Sequence, residues 1–108
     1  MAQRYILCYH REMSVEELHA VVRGRVQFVM FRDFAQRTAR RHGLTGFVRN
    51  CPDGSVEVVA QGEKLALQNL LSALHSGSLL SRVASVTNEW RVPSKTYDDF
   101  QIVFNSGI

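Results

Sequence analysis

A short turn near the middle of the chain constrains its fold more than any other feature. Pro52-Asp53-Gly54 is a turn signal, because the proline presets its own φ and Gly54 readily adopts a positive φ. The segments on either side, 45–51 and 55–61, carry the apolar residues expected of strands. Two strands joined by so short a turn form an antiparallel hairpin.

The segments around this hairpin complete a β-α-β-β-α-β order with a closing strand. Residues 31–42 and 63–76 repeat apolar side chains at helical spacing, and a glycine follows each of them. Each helix must bury one stripe, and an antiparallel sheet offers one apolar face. The order therefore predicts a two-layer α+β sandwich of the ferredoxin-like kind, with both helices on one face of the sheet. The predicted strands are residues 18–26, 45–51, 55–61, 82–91 and 100–104.

The composition is that of one globular domain. The chain has 108 residues, of which 45% are hydrophobic, enough for a core, and 21% are charged, too few for a disordered chain. No apolar run approaches the length of a membrane span, and the first ten residues lack the apolar segment of a secretory signal. We therefore expect a cytoplasmic protein without membrane association. Residues 1–12 are either a flexible extension or an extra strand, and residues 13–108 form the domain.

The cysteines and histidines form no metal-binding pattern. Cys8 and Cys51 lie far apart in the chain, and cytosolic thiols stay reduced, so we expect no disulfide between them. The histidines are not spaced as ligands on one helix face, so we expect no metal site. The histidines are His10, His19, His42 and His75.

The segment from Gly24 to Arg32 leads from the first strand into the first helix and is the candidate binding site. Backbone N–H groups at a helix N-terminus have no partner inside the helix, and the helix dipole favours an anion there. Arg32 lies in the first turn, where its guanidinium can clamp a phosphate or a carboxylate with two parallel hydrogen bonds. The alternative is an ordinary strand–loop–helix connection that binds only water.

The charge around this segment is strongly positive. Seven arginines lie between positions 23 and 49, and Asp33 is the only acidic residue among them. Such a field favours anionic substrates or nucleic acid, although a solvated helix face would explain Arg37, Arg40 and Arg41 equally well.

Asn50 ends the second predicted strand. In a split β-α-β arrangement the first two strands need not be far apart, so Asn50 can lie beside the loop before Arg32. Its amide both donates and accepts hydrogen bonds and can orient a water molecule. The alternative is a turn residue that caps its own backbone.

Two sets of residues, separated by the first helix, match a family pattern. The first is Gly24-Arg25-Val26-Gln27, Val29 and Phe31-Arg32. The second is Gly43-Leu44, Gly46-Phe47-Val48-Arg49-Asn50, Asp53-Gly54-Ser55-Val56-Glu57 and Gln61-Gly62. In this order they closely resemble the acylphosphatase family, and the resemblance spans residues 18–104.

The resemblance implies a small ferredoxin-like enzyme that hydrolyses the carboxyl–phosphate bond of acyl phosphates without a metal or cofactor. Its small-molecule partners would be an acyl phosphate and inorganic phosphate. By motif position, Arg32 is the phosphate-binding arginine and Asn50 is the asparagine that holds the attacking water. The backbone of Gln27, Phe28, Val29, Met30 and Phe31 would cradle the phosphate.

The chain departs from the family at two loop positions. The family usually has glycine at position 28 and often a small residue at position 30, where this chain has Phe28 and Met30. One alternative is therefore a member that binds anions but has lost catalysis. A second is an RNA-binding module, which we disfavour because residues 55–61 contain no aromatic side chain for base stacking. We expect a monomer, although the last strand could pair with a neighbour.

Overall fold

The computed structural model describes residues 15–27 and 30–104. The predicted extension, residues 1–12, lies outside them, as do Phe28 and Val29 of the candidate loop. The described elements are β1 (Glu16–Arg25), α1 (Phe31–Arg41), β2 (Thr45–Asn50), β3 (Val56–Gly62), α2 (Lys64–Ser76), β4 (Arg82–Arg91) and β5 (Phe100–Val103).

The five strands form one sheet in the order β4-β1-β3-β2-β5. The β4–β1, β1–β3 and β3–β2 pairs are antiparallel, which confirms the predicted hairpin. The closing strand β5 differs from the prediction of an antiparallel sheet, because it pairs with β2 in parallel. Because β4 and β5 lie at opposite edges of the sheet, the chain crosses from one edge to the other between them, and β5 is added beside β2 instead of beside β4.

Both helices pack on the same face of this sheet, as predicted. In β1 the buried positions alternate at Leu18, Ala20 and Val22, and the stripes of the two helices cover them. The helices contribute Ala35 and Ala39 from α1 and Leu67, Leu70 and Leu74 from α2 to this core. No helix among the described residues is long and apolar enough to cross a membrane.

Two glycines shape the chain on either side of α1. A Cβ at Gly24 would lie 2.2 Å from the backbone oxygen of Arg82, where the β1–β4 register shifts, so only glycine allows this approach before the loop. Gly43 has a φ of 72° directly after the helix C-cap, which confirms the predicted stop.

The strand register brings the candidate residues to one end of the sheet. Val22 of β1 and Asn50 of β2 both lie opposite Val56, the first residue of β3. The loop that leaves β1 for α1 therefore starts beside the end of β2, as the sequence led us to expect.

Candidate active site

A cavity of about 390 Å³ lies where the loop before α1 meets the ends of β2 and β5. It contains both polar residues singled out in the sequence, Arg32 and Asn50. Met30 and Phe31 of the predicted cradle also line it. The remaining lining residues are Val26, Asp33, Ile102 and Phe104.

A second, larger cavity of about 470 Å³ lies against β2, β5 and the β4–β5 connection. Two of its four charged side chains form ion pairs, since Arg49 bonds to Glu57 and Asp99 bonds to Arg40, and Lys95 lies over the ring of Tyr97. The smaller cavity combines Arg32, which makes no ion pair with a described residue, with a buried oxygen of Asn50 that has no described hydrogen-bond partner. This combination makes it the better candidate for an active site.

The N-terminus of α1 offers backbone donors to this cavity. Its N-cap residue Met30 is in the left-handed conformation, with φ 59° and ψ 28°, and makes no side-chain capping bond. The first bond of the helix runs from Phe34 N to Met30 O, at 3.1 Å. The N–H groups of Phe31, Arg32 and Asp33 precede that bond and have no acceptor within the helix.

Arg32 is half-buried, and its guanidinium is not neutralised by a neighbour. Its Cζ atom lies 5.0 Å from the centre of the Phe104 ring, in a cation–π contact. Among the described residues, no carboxylate lies within salt-bridge distance of it. Asp33, beside it in the sequence, pairs instead with Arg37 at 2.9 Å. The guanidinium of Arg32 is thus packed against the Phe104 ring, and its N–H groups remain free to bind an anion.

Asn50 carries the most informative atom of the cavity. Its Oδ1 is buried and has no hydrogen-bond partner within the described part of the chain. Buried polar atoms are nearly always bonded, so an unpaired acceptor in a cavity points to a bound molecule. The turn after Asn50 is closed without its side chain, by Cys51 N donating to Ser55 O at 2.8 Å. This geometry does not match the alternative of a residue that caps its own turn.

Gln27 connects the loop to that turn through its side chain. Its Nε2 donates to the backbone oxygens of Cys51 and Ser55, at 2.9 Å each. The sequence had assigned Gln27 only a backbone contribution. The two bonds fix the start of the loop against the residue that follows Asn50, and hence the distance between the two halves of the site.

Asp53 stabilises the same turn from its other side. Its Oδ1 accepts hydrogen bonds from Ser55 Oγ at 2.6 Å and Ser55 N at 3.0 Å, and its Oδ2 accepts one from Arg23 at 3.0 Å. The Ser55 side chain and backbone, followed by Arg23, lower the pKa of Asp53 to about 2. The turn is therefore held by an ionised carboxylate at any neutral pH.

Four of the seven predicted site residues, Met30, Phe31, Arg32 and Asn50, line one cavity. Gln27 is directed to the neighbouring turn, while Phe28 and Val29 are outside the described residues. Sequence reasoning missed Ile102 and Phe104, although it recognised their strand. Phe100, Ile102 and Phe104 alternate along this strand, and Phe100 is buried. This alternation places Ile102 and Phe104 in the cavity only once it is known that β5 pairs with β2. Metal ligation has no candidate among the described residues, where no three His, Cys, Asp or Glu side chains come together.

The comparisons with known proteins agree on one family. A family model described as Acylphosphatase matches residues 18–102. A relative from Methanococcoides burtonii, named Acylphosphatase, is 45% identical over 91 residues, which cover 84% of this chain and 93% of the relative. A relative of the same name from Thermus thermophilus is 51% identical over 73 residues, covering 68% and 83%.

Solved structures give the same result. The crystal structure of acylphosphatase from Bacillus subtilis matches with a TM-score of 0.79 and 36% identity, covering 82% of this chain and 98% of that one. The structure of an acylphosphatase from Coxiella burnetii matches with a TM-score of 0.80 and 34% identity, covering 86% and 97%. These findings do not favour the RNA-binding alternative.

Proposed function

We propose that Arg32 and Asn50 carry out the chemistry of this chain, which belongs to the acylphosphatase family and hydrolyses the carboxyl–phosphate bond of acyl phosphates. The single observation that supports their roles best is the buried Oδ1 of Asn50, which has no hydrogen-bond partner among the described residues and shares its cavity with the guanidinium of Arg32. Arg32 binds the phosphoryl group, and Asn50 positions the water molecule that attacks it.

Arg32 binds the phosphoryl group. Its guanidinium donates two parallel hydrogen bonds to phosphoryl oxygens, and the N–H groups at the start of α1 add backbone donors and the positive end of the helix dipole. We extend this cradle back along the loop to Gln27, including Phe28 and Val29. The combined donors stabilise the charge that spreads over the phosphoryl oxygens in the transition state.

Asn50 positions the attacking water. Its Oδ1 accepts a hydrogen bond from one O–H of the water, which directs an oxygen lone pair at phosphorus. The new bond forms between the water oxygen and phosphorus while the bond from phosphorus to the acyl oxygen breaks, and the carboxylate leaves. The water proton passes to a phosphoryl oxygen or to the departing carboxylate.

The reaction needs no protein base and, in this proposal, no metal or cofactor. A carboxylate is a good leaving group, and phosphoryl transfer depends mainly on positioning and charge stabilisation. Asp33 is the only carboxylate among the described lining residues, and Arg37 holds it. Because one chain supplies all the described parts of the cavity, we also propose that a monomer is active.

The test is hydrolysis of benzoyl phosphate in the presence of a chelator. We expect turnover by the wild type and a loss of about a hundredfold to a thousandfold in kcat for Asn50→Ala, as for removal of one positioned hydrogen-bonding group. Arg32→Ala should lose at least as much and should also weaken inhibition by inorganic phosphate. Arg41→Ala, at the other end of the same helix, is the matched control and should retain turnover.

The outcomes separate the competing interpretations. A folded Asn50→Ala variant with near-normal kcat would remove Asn50 from the mechanism. A folded wild type that binds phosphate without turning over benzoyl phosphate would leave the inactive anion-binding module as the function. Circular dichroism of each variant establishes that it is folded.

A further inference from the structure

The side of the cavity next to the anion site is apolar and open to solvent. Met30 is 72% exposed and Phe104 is 68% exposed, although both line the cavity. Ile102 lies beside them, half-buried against the core. Large apolar side chains exposed together at a cavity indicate a surface that a ligand covers.

The position of this apolar surface relative to Arg32 determines what can cover it. In an acyl phosphate a single oxygen atom joins the phosphorus to the carbonyl carbon of the acyl group. When the phosphoryl group is bound, the acyl group is therefore held close to it. The Phe104 ring lies in contact with the same guanidinium that binds the phosphoryl group. The acyl group of a bound substrate must therefore lie against the remaining cavity lining, which includes Phe104.

We propose that Met30, Ile102 and Phe104 form the subsite for the acyl group, and that this chain prefers acyl phosphates with an aromatic or other large apolar acyl group to acetyl phosphate. The proposal rests on the function proposed above and specifies its substrate class. Apolar contact area and offset or edge-to-face packing on the Phe104 ring favour such a group.

The charges of the lining argue against a strongly polar acyl group. The only charged side chains among the described lining residues are Arg32, which is engaged by the phosphoryl group, and Asp33, which is paired with Arg37. A carboxylate or hydroxyl on the acyl group would find no free partner at Met30, Ile102 or Phe104. Such a substrate would lose hydration without gaining hydrogen bonds. A volume of about 390 Å³ accommodates a single aromatic ring together with a phosphoryl group.

The test compares benzoyl phosphate with acetyl phosphate through the ratio of their kcat/KM values. We expect Phe104→Ala to lower this ratio about tenfold, the effect of losing one aromatic packing partner. Phe104→Leu keeps an apolar wall but loses the ring, so it should lower the ratio by less than Phe104→Ala does. Because both substrates use Arg32 equally, any effect of Phe104 on the guanidinium cancels in the ratio.

Met30→Ala should also lower the ratio, by less, because methionine offers less contact area to the ring. The matched control is Leu80→Ala, which removes an equally exposed apolar side chain outside the cavity and should leave the ratio unchanged. Equal losses for the two substrates in Phe104→Ala would overturn the proposal, as would a ratio near one in the wild type.

A binding measurement separates failure of the subsite from failure of the proposed function. Benzylphosphonate and methylphosphonate cannot be hydrolysed, and calorimetry gives their affinities without turnover. We expect tighter binding of benzylphosphonate, with most of the difference lost in Phe104→Ala. A wild type that shows this preference but hydrolyses neither acyl phosphate keeps the subsite and loses the proposed function. Equal affinities for both phosphonates would refute the subsite even in an active enzyme.

Discussion

Met30 combines backbone strain with an exposed side chain at the mouth of the site. It is the one non-glycine residue with a positive φ in the described ranges, at 59°. A left-handed conformation costs a residue with a Cβ about 1–2 kcal/mol relative to the right-handed one. Strain of this kind persists at functional sites, where the surrounding structure imposes it. The presence of methionine at this position, despite the cost of its backbone conformation, agrees with the proposed contribution of Met30 to the acyl subsite.

The strain at Met30 predicts a difference between two substitutions. Met30→Gly removes the conflict between Cβ and backbone, while glycine also makes the unfolded chain more flexible, so we expect a net gain of up to about 1 kcal/mol in the free energy of unfolding. Met30→Ala keeps a Cβ and should give no gain. Urea unfolding of both variants measures the difference. Equal stability of the two variants would contradict the prediction, because the relief of backbone strain would then not exceed the flexibility that glycine adds to the unfolded chain.

At the scale of elements, the site depends on how a loop is joined to a hairpin. Arg32 begins a helix and Asn50 ends a strand, and Gln27 in the loop before the helix donates two side-chain bonds to the turn after the strand. On the hairpin, Asp53 organises the turn that accepts those bonds. The distance between Arg32 and Asn50 is thus fixed in part by a turn that contains neither residue.

This turn should make stability depend on pH in the acid range. The pKa of Asp53 is lowered to about 2 in the folded chain and is ordinary when unfolded, so its stabilising contribution is present above pH 4 and is lost as the pH falls from about 4 to 2. Urea midpoints measured between pH 5 and pH 2.5 should fall less steeply for Asp53→Asn than for the wild type.

The wild type must be compared with Asp53→Asn because the lowered pKa values of two other carboxyl groups also make the folded chain less stable in acid. A backbone bond from Phe100, with Arg40, lowers the pKa of Asp99. Burial alone would raise the pKa of Glu57, but hydrogen bonds from His19 and Arg49 outweigh burial and lower it. Identical pH profiles for the wild type and Asp53→Asn would contradict the role assigned to Asp53.

Most of the element pattern is local, and it was predictable for that reason. Leucine spacing, alternation and the glycines after each helix gave element ends within two residues of those in the structure. The partner of β5 was not predictable, because its pairing with β2 joins segments about fifty residues apart and no turn specifies it. The sequence did not place Ile102 and Phe104 in the cavity for the same reason. It did place Asn50 near Arg32, because the expected positions of β1 and β2 bring the ends of their segments together.

At the scale of the whole molecule, the arginine-rich third of the chain is less free than its composition indicates. Arg37 pairs with Asp33, Arg40 pairs with Asp99 and Arg49 pairs with Glu57. The helix-face interpretation therefore explains much of the cluster. The formal net charge of the full sequence is nevertheless +3, and a net charge acts over a distance regardless of such pairs.

This net charge predicts that phosphate binding weakens with salt while the chemical step does not. The Debye length falls from about 30 Å at 0.01 M to about 10 Å at 0.1 M, so added salt removes the contribution of distant charges first. We expect the inhibition constant of inorganic phosphate, and the KM of benzoyl phosphate, to rise severalfold between low salt and 0.3 M while kcat stays constant. Arg41→Gln, which removes a positive charge outside the cavity, should flatten this dependence slightly and leave binding at high salt unchanged. An inhibition constant independent of ionic strength would mean that Arg32 and the backbone donors act alone, without help from the field of the molecule.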